Sequence, residues 1–280
     1  MNKSCIIGCP VEHSLSPRLH RYWLKQYKKT GQYTKRAVEP QDFERVILSL
    51  AKDGYAGCNL TIPHKTAAIK FMDDLSPRAS AIGAVNTIVV MNDGGLLGDN
   101  TDAFGYIEGL THQIPEWRDH VLRVAVIGAG GAARAVAYGL IEENVEQVCI
   151  FNRTLANAKE VVEGLSHIKT KSELNTDSFD ALQSRLSEFD LIINTTPLGM
   201  KGQKALPIDL SKAKDTAIIS DIVYNPRITP LLQDASDRGL KTVEGMHMLV
   251  YQGAPGFEYW FGDHPEISDP VIEHMLEALK

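Results

Sequence analysis

Arg123-Val-Ala-Val-Ile-Gly-Ala-Gly-Gly-Ala-Ala-Arg134, followed later by Phe151-Asn-Arg-Thr154, decides the fold. Val124 to Ile127 is a short β-branched apolar run, the pattern of a strand buried on both faces. Gly128, Gly130 and Ala133 then match the G-x-G-x-x-G/A dinucleotide fingerprint. Gly128 allows a tight turn, Gly130 leaves room for a pyrophosphate, and Ala133 lets the following helix, Ala132 to Leu140, pack close to the strand. The unpaired N–H groups and positive dipole at the start of that helix face the phosphates. The next strand, Gln147 to Phe151, ends in Asn152, Arg153 and Thr154, where NAD-binding folds place an acid for the ribose 2′-hydroxyl. A guanidinium there can hold a 2′-phosphate that a carboxylate would repel, so the pattern predicts NADP. The alternative is that Arg153 is a solvated loop residue.

Working outward, the helix and strand patterns alternate along all 280 residues, which predicts α/β architecture with mostly parallel sheet. The length suits two domains. The first half reads as strand Cys5–Cys9, helix Pro17–Lys29, strand Thr34–Val38, helix Gln41–Lys52 and strand Ala56–Ile62. A helix is expected from Pro63 to about Asp73, and a hairpin joins Ala84–Met91 to Gly95–Leu97 across Asn92-Asp93-Gly94. A helix from about Asp102 to Leu110 leads into the fingerprint unit. Further strands are expected at Leu191–Asn194, Ala217–Asp221 and near Lys241–Val243. Residues 249–280 are helical in pattern and carry Tyr251, Phe257, Tyr259, Trp260 and Phe261. That apolar payload suits a helix returning to the first domain. The expected division is 1–103 with 249–280 as a substrate domain, and 104–248 as a Rossmann-type domain with parallel sheet. Gly199 to Lys204 reads as a candidate lid.

Composition narrows the function. The formal charge is −6 with no basic run, which argues against nucleic acid as a partner. No apolar stretch is long enough to cross a membrane, and the N-terminus lacks a signal-peptide core. Cys5, Cys9, Cys58 and Cys149 form no C-x-x-C pair and read as reduced thiols of a cytoplasmic protein. No metal-ligand spacing is present, and no metal is expected.

Several polar residues lie where elements begin or end. In His13-Ser-Leu-Ser-Pro17, Ser16 reads equally as a helix cap and as part of an anion site; Ser14 has no capping role and tilts the reading towards the anion. In Asn59-Leu-Thr-Ile-Pro-His-Lys65, alternation puts Asn59 and Thr61 on one side of the strand. Lys65 is expected in the first turn of the Pro63 helix, where the positive field favours the neutral amine and a proton-transfer role. The alternative is a lysine bent into solvent. Asn86 sits inside a β-rich run that disfavours it. Asp102 ends the polar turn Gly98-Asp-Asn-Thr-Asp102 and reads as an N-cap unless it meets Lys65. Asn194-Thr-Thr-Pro197 and Asp221-Ile-Val-Tyr-Asn-Pro226 place small polar groups at strand ends where a cofactor would lie. Tyr224 reads equally as a core tyrosine.

Taken in order, these motifs resemble the shikimate dehydrogenase family. The matching pieces are Gly8-Cys-Pro10 with His13-Ser-Leu-Ser-Pro17, Asn59 to Lys65, Gly83-Ala-Val-Asn-Thr87, Gly98 to Asp102, Gly128 to Gly131, Asn152 to Thr154, Asn194 to Pro197, and Gly245-Met-His-Met-Leu-Val-Tyr-Gln252. The resemblance implies NADPH-dependent reduction of 3-dehydroshikimate to shikimate in aromatic amino-acid biosynthesis, with the active site in a cleft between two α/β domains. It implies that Ser14, Ser16 and Tyr224 hold the substrate carboxylate, and that Asn59, Thr61, Asn86 and Gln252 hold ring hydroxyls. Lys65 and Asp102 would be the catalytic pair. Gly128, Ala129, Gly130, Gly131, Ala132, Ala133, Asn152, Arg153, Thr154, Thr195 and Ile222 would contact NADP, with Gly245 and Met248 near the nicotinamide. The family often has a second basic residue three positions after the threonine; here it is Asn157, which leaves the 2′-phosphate to Arg153, aided by Lys159. The expected partners are small molecules, and the expected assembly a monomer or homodimer. The rival readings are a quinate/shikimate dehydrogenase of broader substrate or cofactor use, and a non-catalytic dinucleotide sensor.

Overall fold

The computed structural model describes residues 2–280. In chain order its elements are β1 (Asn2–Gly8), α1 (Ser16–Gln26), β2 (Gly31–Ala37), α2 (Phe43–Leu48), β3 (Gly57–Leu60), β4 (Asp74–Leu75), α3 (Pro77–Ile82), β5 (Thr87–Val90), β6 (Leu96–Asp99), α4 (Asp102–Gln113) and α5 (Trp117–His120). They continue with β7 (Arg123–Ile127), α6 (Gly131–Glu142), β8 (Gln147–Asn152), α7 (Leu155–Leu165), β9 (Glu173–Ser178), α8 (Phe179–Arg185) and β10 (Leu191–Asn194). β11 (Ile218–Asp221), α9 (Pro230–Asp237), β12 (Lys241–Glu244), α10 (Gly245–Phe261) and α11 (Asp269–Leu276) complete the chain. The chain divides into two compact units. One runs to Asp102 and resumes over Val250–Ala278; the other comprises Ala103–Leu249 with Leu279–Lys280.

The first unit holds a six-stranded sheet ordered β2-β1-β3-β5-β6-β4. β1 pairs in parallel with β2 and β3, whereas β5 runs antiparallel to both β3 and β6. The expected hairpin is therefore present, with Thr87 opposite Asp99 and Val90 opposite Leu96. One side of this unit is an aliphatic core around Ile7, Ile47, Leu60, Val85 and Ile88. Elsewhere in it, Trp23, Tyr33, Phe257 and Trp260 enclose His20, whose ring stacks on Tyr33 at 3.9 Å. Trp260 Nε1 donates to the Ile88 carbonyl at 3.0 Å, which fixes α10 to the sheet.

The second unit has six parallel strands in the order β12-β11-β10-β7-β8-β9. Numbered within the unit, this is the doubly wound order in which the glycine turn after the first strand lies at the topological switch. The buried faces explain the apolar runs: Val124, Val126, Ile193 and Val148 belong to one core, while Ile127, Phe151, Ile192 and Ile219 belong to another. β9 escaped the sequence reading because Glu-Leu-Asn-Thr-Asp-Ser is a polar edge strand without an apolar face.

Two local expectations fail. No α-helix spans Pro63 to Asp73; the segment is a series of turns ending in a 3₁₀ turn at Ile69–Phe71. One carbonyl that such a helix would use, and the neighbouring His64 side chain, are engaged by distant residues. Val85 N–H donates to the Lys65 carbonyl at 2.8 Å, and the His64 ring bonds the Val38 carbonyl at 2.7 Å while stacking on Phe43. Lys65 therefore does not stand in the first turn of a helix, and the field argument for its neutrality fails. Nor does Ser16 cap α1: it is already helical, Leu15 occupies the cap, and no side chain caps that end.

Candidate active site

In the first unit the chain brings together residues far apart in sequence. Lys65 Nζ lies 2.6 Å from Asp102 Oδ2, and neither side chain is freely solvated, at 17% and 6% exposure. The other oxygen, Asp102 Oδ1, accepts from Asn86 Nδ2 at 2.8 Å. Asp102 opens α4, but both its oxygens are committed to these two side chains, so the capping reading gives way to the pairing one. Its own N–H donates to Asn100 Oδ1, and Asn100 Nδ2 reaches the Ala84 carbonyl.

Asn86 explains why an asparagine sits in a β-rich run. Its Oδ1 accepts from the Thr101 N–H at 2.8 Å, and its Nδ2 also reaches Gln252 Oε1 at 3.4 Å. Asn59 continues the network: Nδ2 donates to Thr87 Oγ1 and to the Asn86 carbonyl, and Oδ1 accepts from Tyr33 Oη at 2.6 Å. Burial pushes the Tyr33 hydroxyl well above its ordinary value, so it stays a donor. Ser14 Oγ and Ser16 Oγ are 3.3 Å apart, with the Ser16 N–H also directed at Ser14. Thr61 follows β3 and is half-buried, its N–H on the Ile7 carbonyl. Sequence reasoning missed Tyr33, Asn100 and Thr101 as members of this network. For Tyr33 the available signal was a single inward-facing aromatic on an otherwise polar strand.

In the second unit, Gly128 takes φ +115°, and a Cβ there would come within 2.7 Å of Thr195 Oγ1. Only glycine fits that conformation and contact. Thr195 is held by its hydroxyl and N–H, both donating to the Ile127 carbonyl. Gly130 differs: its φ is ordinary, and a Cβ would meet no atom within 4 Å. This open space above an α6 terminus that no side chain caps fits a phosphate group. Ala129, Gly131 and Ala132 surround the opening, half-buried, and Ala133 is packed into the core below. Asn152 Nδ2 donates to the Thr154 carbonyl, shaping the loop that carries Arg153. Arg153 is exposed and, among the described residues, pairs with no carboxylate. Ile222, Gly245 and Met248 line one crevice. A Cβ on Gly245 would fall 2.4 Å from the Ile222 carbonyl oxygen, so this close approach also requires glycine. Tyr224, expected with Ser14 and Ser16, belongs to this unit and is half-buried after β11. Loop 199–204 is closed by Gly199 N–H on the Lys204 carbonyl and tied by Lys201 N–H to Asn225.

The loops after β10 and β11 are pinned by one buried acid. Asp221 accepts from Asn194 Nδ2 and the Val223 N–H, both at 3.0 Å, and from Thr229 Oγ1 at 2.7 Å. Burial pushes its carboxyl up to about 6, against the pull of those three donors.

A doubly wound parallel sheet with an open glycine turn in one unit, and a shielded ammonium–carboxylate pair in the other, define the class of a dinucleotide-dependent dehydrogenase. Three family models match in series: shikimate dehydrogenase substrate binding domain over residues 6–88, shikimate/quinate 5-dehydrogenase over 111–248, and shikimate 5′-dehydrogenase C-terminal domain over 245–280. The NADP(+) shikimate dehydrogenase of Rhodospirillum rubrum is 46% identical over 97% of this chain and 95% of its own. The Thermus thermophilus shikimate 5-dehydrogenase, solved with NADP(H) and shikimate, superposes with a TM-score of 0.84 at 33% identity, covering 100% and 98% of the two chains. A quinate dehydrogenase from Corynebacterium glutamicum, solved with NAD, gives 0.90 at 25% identity over 99% of each. The chain belongs to the shikimate/quinate dehydrogenase family.

Proposed function

We propose that this protein catalyses the NADPH-dependent reduction of 3-dehydroshikimate to shikimate, reversibly, as a step of aromatic amino-acid biosynthesis. The observation that carries the reading is the Lys65–Asp102 contact of 2.6 Å, sheltered from water and completed by Asn86. NADPH, when bound, supplies the hydride to the ring carbonyl carbon. Lys65 then protonates the developing alkoxide, and Asp102 orients and charge-balances the ammonium from which that proton comes. Bulk water restores the proton to Lys65. Ser14, Ser16 and Tyr224 bind the substrate carboxylate through hydroxyl donors. Asn59, Thr61, Asn86 and Gln252 hold ring hydroxyls, the amides fixed in advance by the bonds they make to one another.

For the cofactor, Gly128 to Ala133 form the pyrophosphate turn, and Thr195, Ile222, Gly245 and Met248 continue the site. Asn152, Arg153 and Thr154 hold the adenosine end, with the free guanidinium on the 2′-phosphate. Asn157 supports a second reading, in which NAD is also accepted because Arg153 acts with little help beyond Lys159. On both readings the enzyme works on small molecules as a monomer or homodimer. Among the described residues no helix is long and apolar enough to cross a membrane. A cytoplasmic setting is proposed from the four free thiols.

The deciding assay follows the reduced-nicotinamide absorbance with purified protein, offering shikimate or quinate and NADP or NAD. Turnover with shikimate and NADP far above the other three pairs is expected. No turnover with shikimate would overturn the proposal.

A further inference from the structure

Asp99 lies three residues before Asp102, is fully buried, and collects more polar partners than any turn requires. Its Oδ1 accepts from Ser76 Oγ at 2.5 Å, from Arg78 Nε at 2.7 Å and from the Asn100 N–H at 2.8 Å. Its Oδ2 accepts from Tyr259 Oη at 2.9 Å and from the second arm of the Arg78 guanidinium. Burial works against the charge, yet Arg78, Ser76 and Tyr259 hold the carboxyl below its usual range, so it is ionised at neutral pH.

These side-chain contacts come from two helices far apart in the chain. Ser76 caps α3, Arg78 lies in α3, Tyr259 lies in α10, and Asp99 ends β6. The backbone of Asp99 is equally committed: its carbonyl accepts from the Asn86 N–H at 3.0 Å, and Thr87 sits opposite it in the sheet. The carboxylate therefore fixes the strap Asn100-Thr101-Asp102 on one side, while the peptide fixes Asn86 on the other. α10 carries Gln252 as well as Tyr259, so the same clasp also ties the helix that presents Gln252. A buried ion pair contributes little net stability, because desolvation offsets the attraction. What it does supply is geometric definition, and here the geometry is that of Asp102 and Asn86.

We infer that Asp99, clasped by Arg78 and Tyr259, is a positioning residue for the reaction, acting through Asp102 and Asn86 without touching the substrate. The inference rests on the assignment of Lys65 and Asp102 as the proton-transfer pair.

The experiment compares Asp99→Asn and Tyr259→Phe with wild type, alone and combined with Asp102→Asn, using shikimate and NADP. In Asp99→Asn an amide NH₂ faces the guanidinium, so the strap shifts. A displacement of that kind lowers kcat about 10–100-fold. Removing the half-exposed Tyr259 hydroxyl lowers kcat about 5-fold with the fold retained. KM for NADP stays at the wild-type value in both, since the glycine turn is unaltered. On top of Asp102→Asn, each change moves the residual rate by a smaller factor than it does in wild type, because one of the two groups it acts through is already gone. A purely structural role would lower the melting temperature and leave kcat per folded molecule unchanged, whereas a kinetic effect independent of Asp102 would multiply the Asp102→Asn defect in full; either result overturns the inference. If Asp99→Asn does not fold, the Tyr259→Phe pair of measurements decides alone. A wild-type protein that ignores shikimate would instead strike at the proposed function.

Discussion

Replacing Asp221 with asparagine should stabilise the sheet in which it is buried, and the gain should grow with pH. The acid is 1% exposed and faces three donors but no cation. Burial raises its carboxyl from 3.8 to about 6. The folded state thus holds the proton more tightly than the unfolded chain. Below the unfolded value both states are protonated, and the group is neutral in the balance. As pH rises from there through about 6, the unfolded chain ionises first, and the native state loses stability. The full loss above that window is about 3 kcal/mol at 1.36 kcal/mol per pH unit. Asparagine keeps the Asn194 and Val223 bonds through Oδ1 and offers Nδ2 to Thr229 Oγ1, which then accepts. Native-state hydrogen exchange of the β10 and β11 amides reads the opening energy of this sheet by itself. Between about pH 4.5 and pH 7.5 the advantage of the variant over wild type should grow by about 2 kcal/mol, since roughly a third of the penalty is already in force at the lower pH. A difference that does not change with pH, or a variant less stable throughout, would refute the argument that an ionising buried carboxyl carries a cost here.

The other expectations concern chemistry and cofactor. Lys65→Ala should lower kcat for shikimate oxidation about 10²–10⁴-fold with KM little changed, the range for losing a positioned proton-transfer group; near wild-type turnover would remove Lys65 from the mechanism. Gly130→Ala should fold with an unchanged melting temperature, because the added methyl meets open space, yet weaken NADP binding measured by calorimetry; intact affinity would mean the pyrophosphate does not sit there. Gly128→Ala, by contrast, should cost stability by itself, since its φ is +115° and the methyl would strike Thr195. Arg153→Gln should erode the kcat/KM preference for NADP over NAD about tenfold or more, through loss of one charge-assisted contact; an unchanged preference would place the 2′-phosphate elsewhere.

The residues that could be read from sequence were those whose local setting gave them no structural excuse. Asn86 in a β-rich run, Ser14 outside any cap, and glycines between a buried strand and an alanine-rich helix each violate a local preference, and such violations mark sites. The parallel sheet was equally legible, because strands buried on both faces must be continuous apolar runs. The expected helix at Pro63 failed for a long-range reason. Pro63 to Asp73 has a helical local pattern, but Val85 takes the Lys65 carbonyl and Val38 takes the His64 ring, and neither partner is visible within the segment. Asp99 is the same problem in reverse. In isolation it is an ordinary acid in a polar turn, and nothing near it announces Arg78 or Tyr259, 21 and 160 residues away. Local rules find polar groups to which their own strand or helix gives no role. They miss the groups that hold those side chains still, because a buried hydrogen-bonded acid satisfies every local rule. Positioning residues in this family should therefore be sought among buried acids whose partners come from two or more elements distant in sequence, and Asp99, with α3, α10 and the Asn100 N–H converging on it, meets that description.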